Sequence, residues 1–297
     1  MSISSVEVGF VSETCVIPAD DPIGARFRKA VSSRKIIFMA GLPSSGKSLL
    51  FQQLTILAHE AGRKVHSMQW DAARRAFETG AWLDKYPEKD HITHPGVRKA
   101  VGIWVRRGIE RWVKDHPEQR DILIGELPVV GGRFVELLQK NDDQAEQILT
   151  SQTALFFVPV PTREMRNVIT SQRAITFANP RNEQETKDAP IHIVEGEWLA
   201  ARQLHNRWQG VPDLIERDRE YDPEIYRTVF DRLLRFRNCE ILSVDRKFQS
   251  KGSAYDRPVE VTELIAGADE VKASYDMLER LYPGLAKEQA IDSWAEY

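Results

Sequence analysis

One octapeptide in this sequence has the residue types and spacing of a phosphate-binding loop. It matches the pattern G-x-x-x-x-G-K-[ST] and reads Gly41-Leu42-Pro43-Ser44-Ser45-Gly46-Lys47-Ser48. Glycine lets the backbone approach an anion closely, and successive amide N–H groups then form a nest for phosphate oxygens. We expect Lys47 to reach the β- and γ-phosphates of a nucleotide and the Ser48 hydroxyl to bind Mg²⁺. The alternative is a strand-to-helix turn that binds no ligand.

A carboxylate is expected beside this loop at Asp71. Residues 64–69 have the pattern of a buried strand, and Asp71 follows directly. Because ligands gather at the carboxyl ends of parallel strands, Asp71 is predicted to face the phosphate site and to accept or bind an attacking hydroxyl. The alternative is an N-cap for a helix over residues 72–77, a role that is compatible with catalysis.

A second carboxylate, Glu126, ends the apolar run of residues 121–126. A residue at this position is expected to hold Mg²⁺ or to polarise a nucleophile. Aspartate is the usual residue here, so the sequence leaves open whether Glu126 contacts the metal or acts as a base. The alternative is a strand-end carboxylate with a capping role.

Three arginines are predicted to lie on one side of a single helix. Thr162 is a candidate N-cap, and Arg163, Arg166 and Arg173 then fall within about 80° of arc at 3.6 residues per turn. Guanidinium groups recognise phosphate oxygens in pairs and offset charge on a transferring phosphoryl group. The alternative is a solvated helix face with scattered arginines.

These groups require an alternation of strands and helices around the loop. Apolar runs predict strands over residues 35–40, 64–69, 121–126, 154–161 and 240–245, the last being assigned as the final strand of the core sheet. Helical patterns cover residues 49–61, 96–114, 134–149 and 195–208, and Asp222-Pro223-Glu224 starts another helix. We divide the chain into an N-terminal extension (1–33), a core (34–250) with an insertion or lid-adjacent segment (179–222), and a C-terminal helical appendage (251–297).

The composition is that of an ordinary globular protein. The 297 residues are 42% hydrophobic and 29% charged, and the net charge of −3 gives no basic bias toward nucleic acid. The two cysteines lie far apart and form no metal-ligand cluster. The cysteine usage therefore predicts a reducing cytoplasm. No apolar run approaches the length of a membrane span, so no membrane partner is expected.

Taken in order, the loop, the two strand-end carboxylates and the arginine helix resemble the P-loop kinase branch of nucleotide-binding proteins. Within that branch the chain is similar to zeta-toxin-like and to nucleoside or nucleotide kinases. The resemblance implies a three-layer α/β/α fold with a mostly parallel central sheet, ATP or GTP with Mg²⁺, an aspartate at Asp71 that serves as base or substrate ligand, and lid arginines that reach the phosphates. The glutamate at Glu126 and the long segment 179–222 depart from a minimal kinase.

The expected function is transfer of the γ-phosphoryl group of ATP to a hydroxyl of a small acceptor, which could be a nucleoside, a nucleotide sugar or another metabolite. Lys47, Asp71 and the three arginines would carry the chemistry, mainly by positioning and electrostatics. Two alternatives remain open. The chain could be a regulatory ATPase that acts through a protein partner, or a kinase of nucleic-acid ends.

Overall fold

We describe the protein from a computed structural model. The structure describes residues 15–18, 20–90, 92–182, 185–187, 189–211, 216–249, 252–256, 258–284 and 291–296. The first fourteen residues of the predicted N-terminal extension lie outside this range. Among the described residues, no helix combines the length and the apolar character needed to cross a membrane.

A single six-stranded sheet forms the centre of the molecule, and all of its strand pairs are parallel. The strand order is β5-β4-β1-β3-β2-β6, so β1 is flanked by β3 and β4. The strands are β1 (Ile36–Ala40), β2 (Lys64–Gln69), β3 (Asp121–Leu127), β4 (Ala154–Pro161), β5 (Cys239–Val244) and β6 (Val261–Glu263).

Ten α-helices precede, connect or follow these strands in the described part of the chain. They are α1 (Pro22–Ser33), α2 (Lys47–Glu60), α3 (Trp70–Arg75), α4 (Gly80–Lys85), α5 (Pro95–Asp115), α6 (Gln144–Thr150), α7 (Arg163–Ala178), α8 (Ile191–Trp208), α9 (Pro223–Leu233) and α10 (Ala268–Leu281). Short 3₁₀ turns occupy Val135–Leu137, Glu185–Lys187 and Glu216–Arg219.

Both faces of the sheet are covered by helices, because alternate strand residues point to opposite sides. Ile37 and Met39 of β1 pack with the apolar faces of α1 and α2. Ile36 and Phe38 belong to a second cluster with residues of α5, α8, α9 and α10. The architecture is α/β and compatible with the expected three-layer α/β/α arrangement.

The structure corrects the expected C-terminal region. Residues 240–245 were expected to form the last core strand, but β6 follows and pairs with β2 at the edge of the sheet. Residues 251–297 therefore contribute a strand as well as α10, which packs on α5, rather than only a helical appendage. Three residues are too few for the alternating pattern by which a sequence reveals a strand.

Two further expectations change for local reasons. The helix expected over residues 134–149 is instead a 3₁₀ turn followed by the short helix α6. Asp143 is the N-cap of α6, and its carboxylate accepts a hydrogen bond from the N–H of Glu146. In the predicted N-terminal extension, α1 packs into the core: the Phe27 ring lies 5.2 Å from that of Phe157 in β4.

Candidate active site

The candidate phosphate-binding loop lies at the carboxyl end of β1, where the order of the sheet reverses. The chain leaves β1 toward β2 on one side, whereas β4 and β5 lie on the other side. In open parallel sheets, the crevice at such a reversal is where ligands bind. The loop connects β1 to the 14-residue helix α2, whose N-terminus carries the positive end of the helix dipole.

Backbone geometry explains the two glycines of the loop. Gly46 adopts φ = +88° immediately before Lys47 starts α2, a conformation that favours glycine. Gly41 is required by close approach, since a Cβ there would collide with the Tyr226 hydroxyl. The Tyr226 hydroxyl accepts a hydrogen bond from the N–H of Leu42 at 3.1 Å, and because Tyr226 lies in α9, this bond connects the loop to that helix.

Lys47 is held inside the site by the loop and by one carboxylate. Its ammonium donates to the carbonyl oxygen of Leu42 at 2.7 Å and lies 3.9 Å from Oε1 of Glu126. Burial lowers the pKa of Lys47 to about 8, although the charges of Glu126 and Glu197 act in the opposite direction. A dehydrated ammonium of this kind is drawn to an incoming anion.

The two predicted carboxylates both border this site. Glu126 is mostly buried near the end of β3, and its Oε2 accepts from the side-chain amide of Gln69 at 3.4 Å. Asp71 is 60% exposed in the first turn of α3 and accepts from Nε of Arg74 at 3.1 Å. Because α3 begins at Trp70 with Gln69 as its N-cap, the alternative that Asp71 caps this helix is wrong.

The arginine helix does not present its three arginines equally. The helix begins as expected, with Thr162 accepting from the N–H of Met165 at 3.2 Å. Arg166 is buried, donates to the carbonyl oxygen of Pro43 and stacks over the Tyr221 ring at 5.1 Å. Arg173 lines the cavities beside the loop. Arg163 instead faces Glu220 and Asp222 at 3.9 and 3.8 Å and lines neither cavity.

Two cavities meet at the start of α2. The α7 compartment, of about 360 Å³, is bounded by α7, the end of β5 and residues of the segments 246–248 and 252–255. The α3 compartment, of about 480 Å³, is bounded by α3, Glu126, Arg133 and the first part of α8. Residues that line both compartments are Lys47, Ser48, Arg173 and Tyr255. A molecule in one compartment would thus meet a molecule in the other at the phosphate-binding loop.

The charges that line these compartments differ. Among the described lining residues, the α7 compartment has five cationic side chains and one carboxylate: Lys47, Arg173, Arg181, Arg246 and Lys247, with Glu185. The α3 compartment has five of each sign: Lys47, Arg74, Arg75, Arg133 and Arg173, with Asp71, Glu88, Glu126, Glu197 and Glu263. The first is therefore suited to a polyanion and the second to a ligand without large net charge.

Oxygen donors for a divalent cation are present where the compartments meet. The Ser48 hydroxyl and the Glu126 carboxylate both border the α3 compartment, and hydroxyl and carboxylate oxygens are the donors that Mg²⁺ prefers. These residues fit the predicted metal by the chemistry of their donor atoms. In a nucleotide complex, phosphate oxygens would supply further ligands.

A second cluster with ligand chemistry lies at the opposite ends of the strands. Potential ligand atoms of His66, His116 and Asp121 are within 4.8 Å of one another. His66 and Asp121 already form a 3.1 Å hydrogen bond, and the cations Lys35 and Arg63 lie near the Asp121 carboxylate. Because the carboxylate already has cationic neighbours, the local charge opposes binding of a divalent cation here.

Sequence reasoning missed three residues that the fold brings to the site: Tyr226, Arg133 and Glu197. Tyr226 belongs to an apolar stripe in the sequence, which hides the role of its hydroxyl. Arg133 follows Gly131-Gly132, and a glycine pair predicts only an interruption of regular secondary structure. Glu197 had no sequence signal, since one glutamate on a helical pattern reads as a solvated residue.

Comparison with known proteins yields no match among family models, curated proteins or solved structures.

Proposed function

We propose that this protein is a nucleoside triphosphate-dependent phosphotransferase that moves the γ-phosphoryl group of ATP or GTP to a hydroxyl of a small acceptor. The observation that carries the proposal is the pair of compartments that meet at Lys47 and Ser48. The cationic α7 compartment suits the nucleotide, and the charge-balanced α3 compartment suits the acceptor. Transfer between two bound molecules needs such a common boundary.

The proposal includes the P-loop kinase type of nucleotide-binding fold. It is supported by the position of the loop between β1 and α2 and by Glu126 on the neighbouring strand, opposite Met39 of β1 in register. Both features agree with the expected kinase branch. The proposed cofactors are ATP or GTP with Mg²⁺.

Each residue has a defined role in the proposed reaction. The amides of the loop and Lys47 bind the phosphates, and Ser48 and Glu126 hold Mg²⁺, which offsets phosphate charge when bound. Arg166 supports the loop through Pro43, and Arg173 stabilises charge between the compartments. A carboxylate of the α3 compartment engages the acceptor hydroxyl, and Asp71 is the residue to which the sequence points.

A radiolabel transfer assay tests the proposal. The protein is incubated with Mg²⁺ and γ-³²P-ATP or γ-³²P-GTP, and with nucleosides, nucleotide sugars or monosaccharides as acceptors. We expect label in one acceptor, and Lys47→Met should abolish it. A protein that binds ATP but transfers no label to any acceptor would contradict the proposal, and slow hydrolysis alone would favour the regulatory ATPase.

The arginine helix supplies a matched pair of variants for the same assay. Arg173→Ala should lower kcat by about 10²-fold or more, because the guanidinium borders both compartments. Arg163→Ala should retain wild-type kcat, since Arg163 faces Glu220 and Asp222 outside the cavities. Equal losses in the two variants would show that the cavity geometry does not govern transfer.

A further inference from the structure

Glu197 reaches the wall of the α3 compartment from α8, inside the segment 179–222 that departs from a minimal kinase. Its side chain is 11% exposed. One oxygen, Oε1, accepts from Nη2 of Arg133. The other oxygen, Oε2, is buried and has no hydrogen-bond partner among the residues that the structure describes. A buried carboxylate oxygen without a partner is uncommon in native proteins and calls for a ligand or another explanation.

The other carboxylates near the loop are already engaged. Asp71 is bound to Arg74 and stands largely in solvent at the edge of the compartment. Glu126 faces the Lys47 ammonium and accepts from Gln69. Glu197 combines enclosure, proximity to Lys47 and an unused acceptor oxygen. It is therefore better suited than Asp71 to receive a proton near the phosphate-binding loop.

Hydrogen bonds with the neighbouring loop hold Arg133, the partner of Glu197, in its orientation. Arg133 also donates to the carbonyl oxygen of Val130, so its guanidinium is oriented from two directions. The preceding loop is held by Arg98, which donates to the carbonyl oxygen of Gly131 and forms a 3.0 Å ion pair with Asp292. The Trp294 side chain lies against Gly132. Such support limits the motion of a catalytic side chain.

We propose that Glu197, oriented by Arg133, is a catalytic residue that accepts the hydrogen bond and then the proton of the acceptor hydroxyl. This assignment rests on the phosphotransferase function proposed above. The acceptor oxygen forms a bond to the γ-phosphorus, and the bond from the γ-phosphorus to the β–γ bridging oxygen breaks. The nucleoside diphosphate leaves with that electron pair, and the hydroxyl proton moves to the Glu197 carboxylate. Asp71 is left as an outer contact of the acceptor.

The same wall restricts the class of acceptor. Arg133 is bound to Glu197, and Arg74 is bound to Asp71, Glu78 and Glu88. An anionic acceptor group beside Glu197 and Glu126 would face two carboxylates, and the guanidinium of Arg133 at this wall is already paired with Glu197. At this wall we therefore expect the reactive end of the acceptor to be a neutral hydroxyl rather than a phosphate.

The experiment compares three isosteric variants, Glu197→Gln, Asp71→Asn and Glu195→Gln, in the radiolabel assay. Glu195 is an exposed residue of the same helix that lines neither compartment, and it serves as the control. We expect Glu197→Gln to lower kcat by about 10²-fold or more, with the Kd for ATP within threefold of the wild type. Asp71→Asn should mainly raise the KM for the acceptor, and Glu195→Gln should match the wild type. A kcat for Glu197→Gln within threefold of the wild type would overturn the assignment.

A variant of Arg133 tests whether the orientation of Glu197 matters for transfer. Arg133→Lys keeps the charge but loses the planar guanidinium that holds Oε1 of Glu197, so kcat should fall while the Kd for ATP stays within threefold of the wild type. This variant also tests the proposal if Glu197→Gln does not fold. A kcat for Arg133→Lys within threefold of the wild type would refute the role of the pair.

The acceptor panel separates failure of this inference from failure of the proposed function. Uridine, adenosine, glucose and glucosamine test hydroxyl acceptors, and UMP and AMP test phosphate acceptors. Label on the phosphate of a monophosphate would overturn the acceptor class while leaving phosphotransfer intact. Wild-type protein that transfers to no acceptor would overturn the proposed function and, with it, the role of Glu197.

Discussion

Gly41→Ala tests how the candidate phosphate-binding loop packs against α9. A Cβ added at this position would lie closer than 3.0 Å to the Tyr226 hydroxyl, with Oγ of Ser45 at 3.2 Å. Tyr226 is fully buried, and its hydroxyl accepts from the N–H of Leu42. The ring cannot move away into solvent, so either the loop or α9 must shift.

The expected magnitude follows from two terms. Forcing a methyl group into a packed site costs about 1–3 kcal/mol. Displacing the hydroxyl leaves the Leu42 N–H without its partner, which costs about 1–3 kcal/mol. Together these two terms predict that Gly41→Ala lowers the free energy of unfolding by about 2–6 kcal/mol. Tyr226→Phe removes the hydrogen bond and costs about 1–2 kcal/mol, but it also removes the oxygen that the new methyl group would meet.

Urea denaturation of both single variants and the double variant measures the coupling between them. The double variant should be more stable than the sum of the two single losses predicts, by a coupling energy of about 1–3 kcal/mol. The strain of a residue with a Cβ at the Gly41 backbone angle, φ = +157°, is present in both variants that carry alanine and does not enter this coupling. Gly196→Ala is the control, because a Cβ at Gly196 in α8 meets no atom within 4 Å. It should be neutral or should stabilise the helix by up to about 1 kcal/mol. Additive losses in the double variant would refute the proposed contact.

Two other predictions concern titration and helix capping. Burial lowers the pKa of Lys47 to about 8, so its ammonium loses a proton as the pH rises through that value. Nucleotide affinity measured by calorimetry should fall over the same range. A nucleotide affinity that does not change with pH across this range would contradict the prediction. Between that pKa and the usual 10.5 the unfolded chain binds more protons than the folded chain, so the contribution of Lys47 to stability rises with pH over this range. Asp222 accepts from the N–H groups of Glu224 and Ile225, so Asp222→Ala should lower the free energy of unfolding by about 1 kcal/mol in urea denaturation. Asp222→Asn should retain most of that stability, since asparagine is an equally good N-cap.

Much of the fold was accessible from sequence because its signals are local. The apolar runs predicted β1 to β5, and capping residues such as Thr162 and Asp222 predicted where α7 and α9 begin. The edge strand β6 was missed because three mostly polar residues have no period. Its pairing with β2 depends on residues nearly two hundred positions away.

The candidate site also contains residues that local sequence patterns located and residues that only tertiary packing placed. Sequence spacing located the octapeptide 41–48 and placed Asp71 just after β2 and Glu126 near the end of β3, since strand ends follow from the chain pattern. It could not distinguish Arg163 from Arg166 and Arg173. Their separate environments depend on how α7 packs and on the carboxylates before α9.

Sequence alone determined the candidate phosphate-binding pattern and the strand-and-helix alternation around it, because both depend on residues that are close together in the chain. Only the tertiary structure joined Tyr226 to Leu42 across 184 positions and Arg133 to Glu197 across 64. These contacts depend on where helices cross the sheet, and no local pattern encodes that. The same packing created the two compartments on which the proposed transfer rests.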